Sequence, residues 1–208
     1  MLIPNRVGAA RFRLTVFIVV GLLIHPSTLF SAEPNEVIET FHAALILVMK
    51  DAGNTSRYSR YKILEPEIEK AFNLPFMIRI TAGSRWKREN AKGKKDLTIA
   101  FKRMSVATYV SRFEGYTGQK FQTLKVRNGP RSTRLVDTLL ISPGDNPVKL
   151  TYVMHQFGHD WRIVDVLLDD GISEIAMRVS EYRATLRSKG ADGLAKALNK
   201  KASKLMKN

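Results

Sequence analysis

The sequence predicts an α+β fold: helices packed on one face of a four-stranded antiparallel sheet, preceded by an N-terminal signal peptide. Three observations predict it. Apolar residues recur at three- and four-residue spacing from Asn35 to about Tyr116, which is the helical period. Between Gln119 and Asp170 the pattern changes to short apolar runs bounded by turn residues, as in strands joined by hairpins. After Gly171 the helical period returns, and helices, then a meander, then helices is an α+β layout.

Residues 1–32 read as a leader. Arg6, Arg11 and Arg13 precede the apolar run Leu14 to Ile24, which His25-Pro26-Ser27 breaks. A basic start, a short apolar run and a polar stretch make an export signal. The run is shorter than the ~20 apolar residues that span a bilayer. Cleavage after Ala32 would put Phe30 where a small residue is usual, and an uncleaved anchor or a buried core helix are the alternatives. Residues 33–208 are then a single domain.

Val37, Phe41, Leu45 and Val48 mark a first helix, ended by Gly53-Asn54. Leu64, Ile68 and Phe72 mark a second, and Pro75 interrupts before Phe76, Met77 and Ile80. Leu97, Phe101, Met104 and Tyr109 mark a longer helix beginning near Asp96. The strands are Phe121–Arg127, Ser132–Ile141, Val148–Gln156 and Trp161–Leu168, separated by Asn128-Gly129-Pro130, by Pro143 to Asn146, and by a turn at Gly158-His159. Consecutive hairpins make the sheet antiparallel. Ile172, Ile175, Val179, Tyr182 and Leu186 share a helix face, Gly190 is placed to stop that helix, and Leu194, Leu198 and Leu205 continue in a basic last one.

The hydrophobic content, 44%, suits a globular domain. The absence of cysteine excludes disulfides, thiolate metal sites and cysteine nucleophiles. His155 and His159 are four apart but fall at a strand end and a turn, with no third ligand at a readable position, so no metal site is expected. Asp160, Asp165, Asp169 and Asp170 are available carboxylates, yet Asp169-Asp170-Gly171 reads as a turn ahead of a helix. No phosphate-cradling glycine loop, nucleophile elbow or zinc-protease motif occurs.

Charge is clustered. The chain has a formal charge of +15. Eight basic residues lie between Arg85 and Arg103 against Glu89 and Asp96, and eight more between Arg183 and Lys207 against Asp192. Such patches attract nucleic acid or anionic membranes; for an exported protein an anionic membrane surface is the expected partner, and nucleic acid is not. Solvated helix faces are the alternative.

Trp161-Arg162-Ile163-Val164-Asp165-Val166 is followed by Gly171-Ile172-Ser173, by Tyr182-Arg183, and by Gly190, Gly193, Leu194 and Leu198. In this order the residues resemble the signature of the MlaC-like periplasmic lipid carriers, the toluene-tolerance or ABC-transporter auxiliary-component family. Its pattern is a strand W-x-I-x-D-V, a loop ending G-[VI]-S, a helix carrying Y-R, and a last helix G-x-x-G-L-x-x-x-L. Upstream, Pro34, Val37, Ile38, Phe41, Phe72, Met77, Trp86, Phe101 and Tyr109 fit the same family. The wording of Asp165 to Ala176, with Ser188-Lys189-Gly190, resembles the subgroup associated with hopanoid biosynthesis.

The resemblance implies a soluble, monomeric periplasmic carrier without catalysis or cofactor. It would take phospholipid or a hopanoid-type lipid between an inner-membrane ABC transporter complex and an outer-membrane lipoprotein complex. Acyl chains would sit in a cavity between sheet and helices. Alternation on the strands then nominates Val148, Leu150, Tyr152 and Met154 on one strand and Trp161, Ile163 and Leu167 on its neighbour, with Phe101, Met104 and Tyr109 on the preceding helix. Ordinary core packing is the alternative for each. Two rival functions are a cone-shaped α+β isomerase or dehydratase using Asp165, His155 or Tyr152 as acid or base, and an exported polyanion binder using the basic clusters.

Overall fold

The computed structural model describes residues 32–207, so the expected leader, Ala32 apart, lies outside the described residues. The helices are α1 (Pro34–Lys50), α2 (Arg57–Ala71), α3 (Leu74–Ala82), α4 (Ser84–Arg88), α5 (Ala91–Arg112) and α6 (Glu174–Leu205). The strands are β1 (Lys120–Asn128), β2 (Arg134–Ile141), β3 (Val148–Phe157), β4 (Asp160–Leu168) and β5 (Ile172–Ser173), in one antiparallel sheet of order β1-β2-β3-β4-β5. The α+β expectation holds, with five strands in place of four. β5 is two residues long and pairs Ile172 with Leu168 and Ser173 with Leu167, too short to show any alternation.

Two element starts differ from the sequence reading for local reasons. The interruption expected at Pro75 falls just before it, at Phe72-Asn73: α2 ends at Ala71, and Pro75 lies in the first turn of α3, where the missing N–H is no loss; the Asn73 side chain caps α3 by accepting from the Phe76 N–H. α5 starts at Ala91 rather than near Asp96 because the Asn90 side chain accepts from the Gly93 N–H. Its first turn, Lys92-Gly93-Lys94-Lys95, carries no large apolar residue and so gives no periodic signal. The last helix is interrupted as expected: Gly190 has φ 64° and ψ −164°, a conformation close to glycine-only.

α1 packs across β1, β2 and β4, α2 and α3 sit on β4, and α6 joins β4 to α5. Ile38, Phe41, Leu45 and Val48 from α1, Leu64 and Ile68 from α2, and Met154, Ile163 and Val166 from the sheet are buried in one cluster. Each such side chain contributes about 1.5–3 kcal/mol of burial. The α2–α3 link is pinned to β4. Arg162 donates to the Glu69 and Lys70 carbonyls, and the Asn73 N–H donates to the Ile163 carbonyl at 2.9 Å.

A bulge decides which β4 side chains face the helices. Val153 lies opposite Asp165 and Met154 opposite Ile163, so Val164 is an extra residue on β4. One extra residue inverts the alternation beyond it. Ile163 and Val166 therefore share the helix-facing side with Met154 and Tyr152. Leu167, expected on the same side as Ile163, instead pairs with Thr151 on the outer side, in an open groove with Arg127 and Lys149. On that outer face Asp137 is buried, accepting from Arg127 at 2.8 and 3.2 Å and from the Thr151 hydroxyl at 2.7 Å.

Candidate functional site

The helix-facing stripe of β3 is graded along its length. Val148 is 38% exposed, Leu150 8%, Tyr152 2% and Met154 0%. Beside Val148 stand Leu140 on β2 and, beyond it, Phe121 on β1; Leu168 on β4 flanks Leu150. Phe121, Leu140 and Leu168 are half-buried and pack at the edge of the core. The apolar face is thus open at the β2–β3 turn end and closed at Met154, where Ile163 and Arg134 are the cross-strand neighbours.

A series of rings leads inward from the open end. Phe113 lies 6.1 Å from Phe121 and stacks on Tyr109 at 5.9 Å between centroids. Tyr109 meets the edges of Phe41 at 5.3 Å and approaches Phe72 at 5.6 Å, while Phe41 and Phe72 form a T-shaped pair at 5.2 Å. His42 stacks on Phe121 at 3.8 Å, and its Nε2 shares a hydrogen bond of 2.9 Å with the Tyr152 hydroxyl. Pairs of this kind contribute about 0.5–1.5 kcal/mol each.

None of these groups is tuned for proton transfer near neutrality. Burial drops His42 to about 3 and raises the Tyr152 and Tyr109 phenols above their ordinary value, because a charged ring in an apolar layer loses its hydration. The acid–base candidates also do not converge. Tyr152 faces the helices. His155 lies opposite Arg162, rests on Phe157 and stacks on Phe76 of α3, away from Tyr152. Asp165 holds the start of α6, accepting from the Val166 and Ile175 N–H groups and the Ser173 hydroxyl. Among the described residues no group of three or more His, Asp or Glu is disposed to hold a metal ion.

Charged residues gather where α6 begins beside the open end. Glu174 is buried and accepts from Arg112 at 3.1 Å, with Arg178 at 3.6 Å. Arg178 donates to the Tyr182 hydroxyl at 3.1 Å and lies 5.4 Å over the Phe101 ring.

Of the residues nominated from sequence, Leu150, Tyr152, Met154 and Ile163 come together on the helix-facing side of the sheet, with Val148 at its open rim. Trp161 is half-buried beyond Met154, opposite Gln156. Tyr109 joins the ring series, whereas Phe101 and Met104 are turned towards α6 and Arg178. The sequence reading passed over His42, Phe113 and Phe121. His42 had a usable signal, because it falls four residues after Ile38 on the apolar face of α1.

A protein-family model described as MlaC protein matches residues 39–200. No curated protein matches the chain. Among solved structures, the fold is similar to that of a phospholipid-binding protein from Ralstonia solanacearum, determined in complex with a phospholipid. The TM-score is 0.73 at 16% sequence identity, over 85% of this chain and 100% of that one.

Proposed function

The chain belongs to the MlaC protein family, and on that premise we propose that it is a lipid-binding carrier and not an enzyme. The observation that carries this reading is the graded stripe from Val148 to Met154. It is an apolar sheet face, open at one end and covered by rings that can turn aside. An acyl chain entering at Val148 would run against Leu150, Tyr152 and Phe121 and displace Phe41, Tyr109 and Phe113 from one another. Each methylene kept from water contributes about 0.8 kcal/mol, so a tail cannot cross an aqueous space exposed. The interior is packed with side chains, and admitting lipid requires the helices to part from the sheet by part of an ordinary ligand-pocket volume, about 300–1,000 Å³. The Arg112–Glu174–Arg178 group stands by the opening, where a polar headgroup would remain.

In this reading the protein works in the periplasm as a monomer, freed of a leader that ends near Ala32. It passes phospholipid or a hopanoid-type lipid between an inner-membrane ABC transporter complex and an outer-membrane lipoprotein complex. Tyr109, Val148, Leu150, Tyr152, Met154, Trp161 and Ile163 line its path or its closed end.

Protein purified from its native host and extracted for mass spectrometry should yield lipid at close to one molecule per chain, and the mass separates phospholipid from hopanoid. Folded protein that is empty as purified, and that takes nothing from vesicles, overturns the carrier reading.

A further inference from the structure

Two basic clusters that are about a hundred residues apart in the chain meet where α3 and α4 pack on α6. Arg85 and Arg88 on α4 and Arg183 and Arg187 on α6 line one groove of about 360 Å³. All four are exposed. Among the described residues none of them is paired with a carboxylate, whereas Arg57, Arg112, Arg127, Arg162 and Arg178 each have an acidic partner. The groove also has an apolar side: Ile80 is 44% exposed there, next to Val179 and Leu186. Arg183 and Arg187 are nine and thirteen residues along α6 from Glu174, roughly 14 and 20 Å at 1.5 Å per residue, and none of Arg112, Glu174 and Arg178 lines the groove, so it is distinct from the charged group at the open end of the β3 stripe.

We propose that this four-arginine groove is the surface by which the protein docks on an anionic lipid bilayer. Four like charges left without counter-charge are complemented by a surface dense in phosphates. A guanidinium grips phosphate with two parallel N–H donors, which a lysine cannot do. The exposed Ile80 beside the arginines meets the apolar layer just beneath the phosphates. Each basic residue close to such a surface contributes about fivefold to binding, and the attraction weakens as salt shortens its range.

Flotation with neutral phosphatidylcholine vesicles, and with vesicles containing phosphatidylglycerol, tests this on the mature chain. Wild type should float with the anionic vesicles and not with the neutral ones. R183Q/R187Q should lose at least tenfold in affinity and the quadruple variant with R85Q and R88Q at least a hundredfold. A control with the same charge removed from the C-terminal stretch away from the groove, K196Q/K200Q/K204Q/K207Q, should stay within a few-fold of wild type. All these side chains are exposed or half-buried, and circular dichroism checks that the variants fold. Equal loss in the control would make net charge the cause, and equal floating on neutral vesicles would remove the arginines from docking. Displacement by millimolar inorganic phosphate at constant ionic strength would make the groove a small-anion site. Each of these results overturns the proposal. Cargo is read separately by mass spectrometry, and the quadruple variant should keep its lipid, so failure of docking and failure of the carrier reading are distinguishable.

Discussion

The Tyr152 hydroxyl and His42 Nε2 are 2.9 Å apart in the layer between α1 and the sheet, each the other's polar partner among apolar side chains. A buried polar group left unpaired costs about 1–3 kcal/mol, so the pair fixes α1 against β3 more tightly than two unrelated core residues would. It also gives the fold a pH dependence.

His42 is held at about 3 by burial, whereas an unfolded histidine titrates near 6.5. Between those values the unfolded chain binds a proton that the native chain does not. Stability from this residue is therefore complete above about 6.5 and is lost as pH falls. Between pH 7 and pH 5 that loss is about 2 kcal/mol. Urea unfolding at the two pH values should show it in wild type, and His42→Leu should have a shallower dependence. Identical slopes would mean that His42 binds a proton as readily in the native chain as in the unfolded one.

The graded stripe predicts opposite outcomes for one substitution at its two ends. Val148→Asp places a carboxylate at the open rim, where it keeps its hydration, and should cost no more than about 1 kcal/mol while lowering lipid content. Met154→Asp buries an unpaired charge and should cost at least about 4 kcal/mol, leaving much of the chain unfolded. Leu150→Asp should fall between them. Circular dichroism with lipid mass spectrometry checks the series, and a folded Met154→Asp protein that still carries lipid would refute the polarity of the site.

Asp165, the acid of the W-x-I-x-D-V segment, should be structural. Its carboxylate receives two backbone N–H groups and the Ser173 hydroxyl, and so fixes the first turn of α6. Asp165→Ala should cost about 2 kcal/mol and speed amide exchange at residues 173–176. Unchanged exchange there would place its role elsewhere.

Gly190→Ala tests the break in α6. Nothing lies within 4 Å of an added Cβ, so any cost comes from the backbone alone. At φ 64° and ψ −164° that cost should be about 1–3 kcal/mol, read from the midpoint of denaturant unfolding. A neutral result would show that the two halves of α6 can join into one continuous helix.

Periodicity and turn chemistry are local properties, and they determined much of this protein from sequence alone. The spacing of Val37, Phe41, Leu45 and Val48, the alternation from Val148 to Met154, and the turns at Asn128-Gly129 and Gly158 define helices, hairpins and strand order. Tertiary structure decided what depends on partners distant in the chain. The bulge at Val164 arises from the pairing of β3 with β4, and it sends Leu167 to the outer face although its parity matches Ile163. His42 meets Tyr152 across 110 residues, a contact that no window along the chain contains. Arg85 and Arg88 face Arg183 and Arg187 only because α3 and α4 lie against α6. The gradient that opens the sheet at Val148 and closes it at Met154 depends on how distant elements cover the strand, which alternation along one strand cannot express.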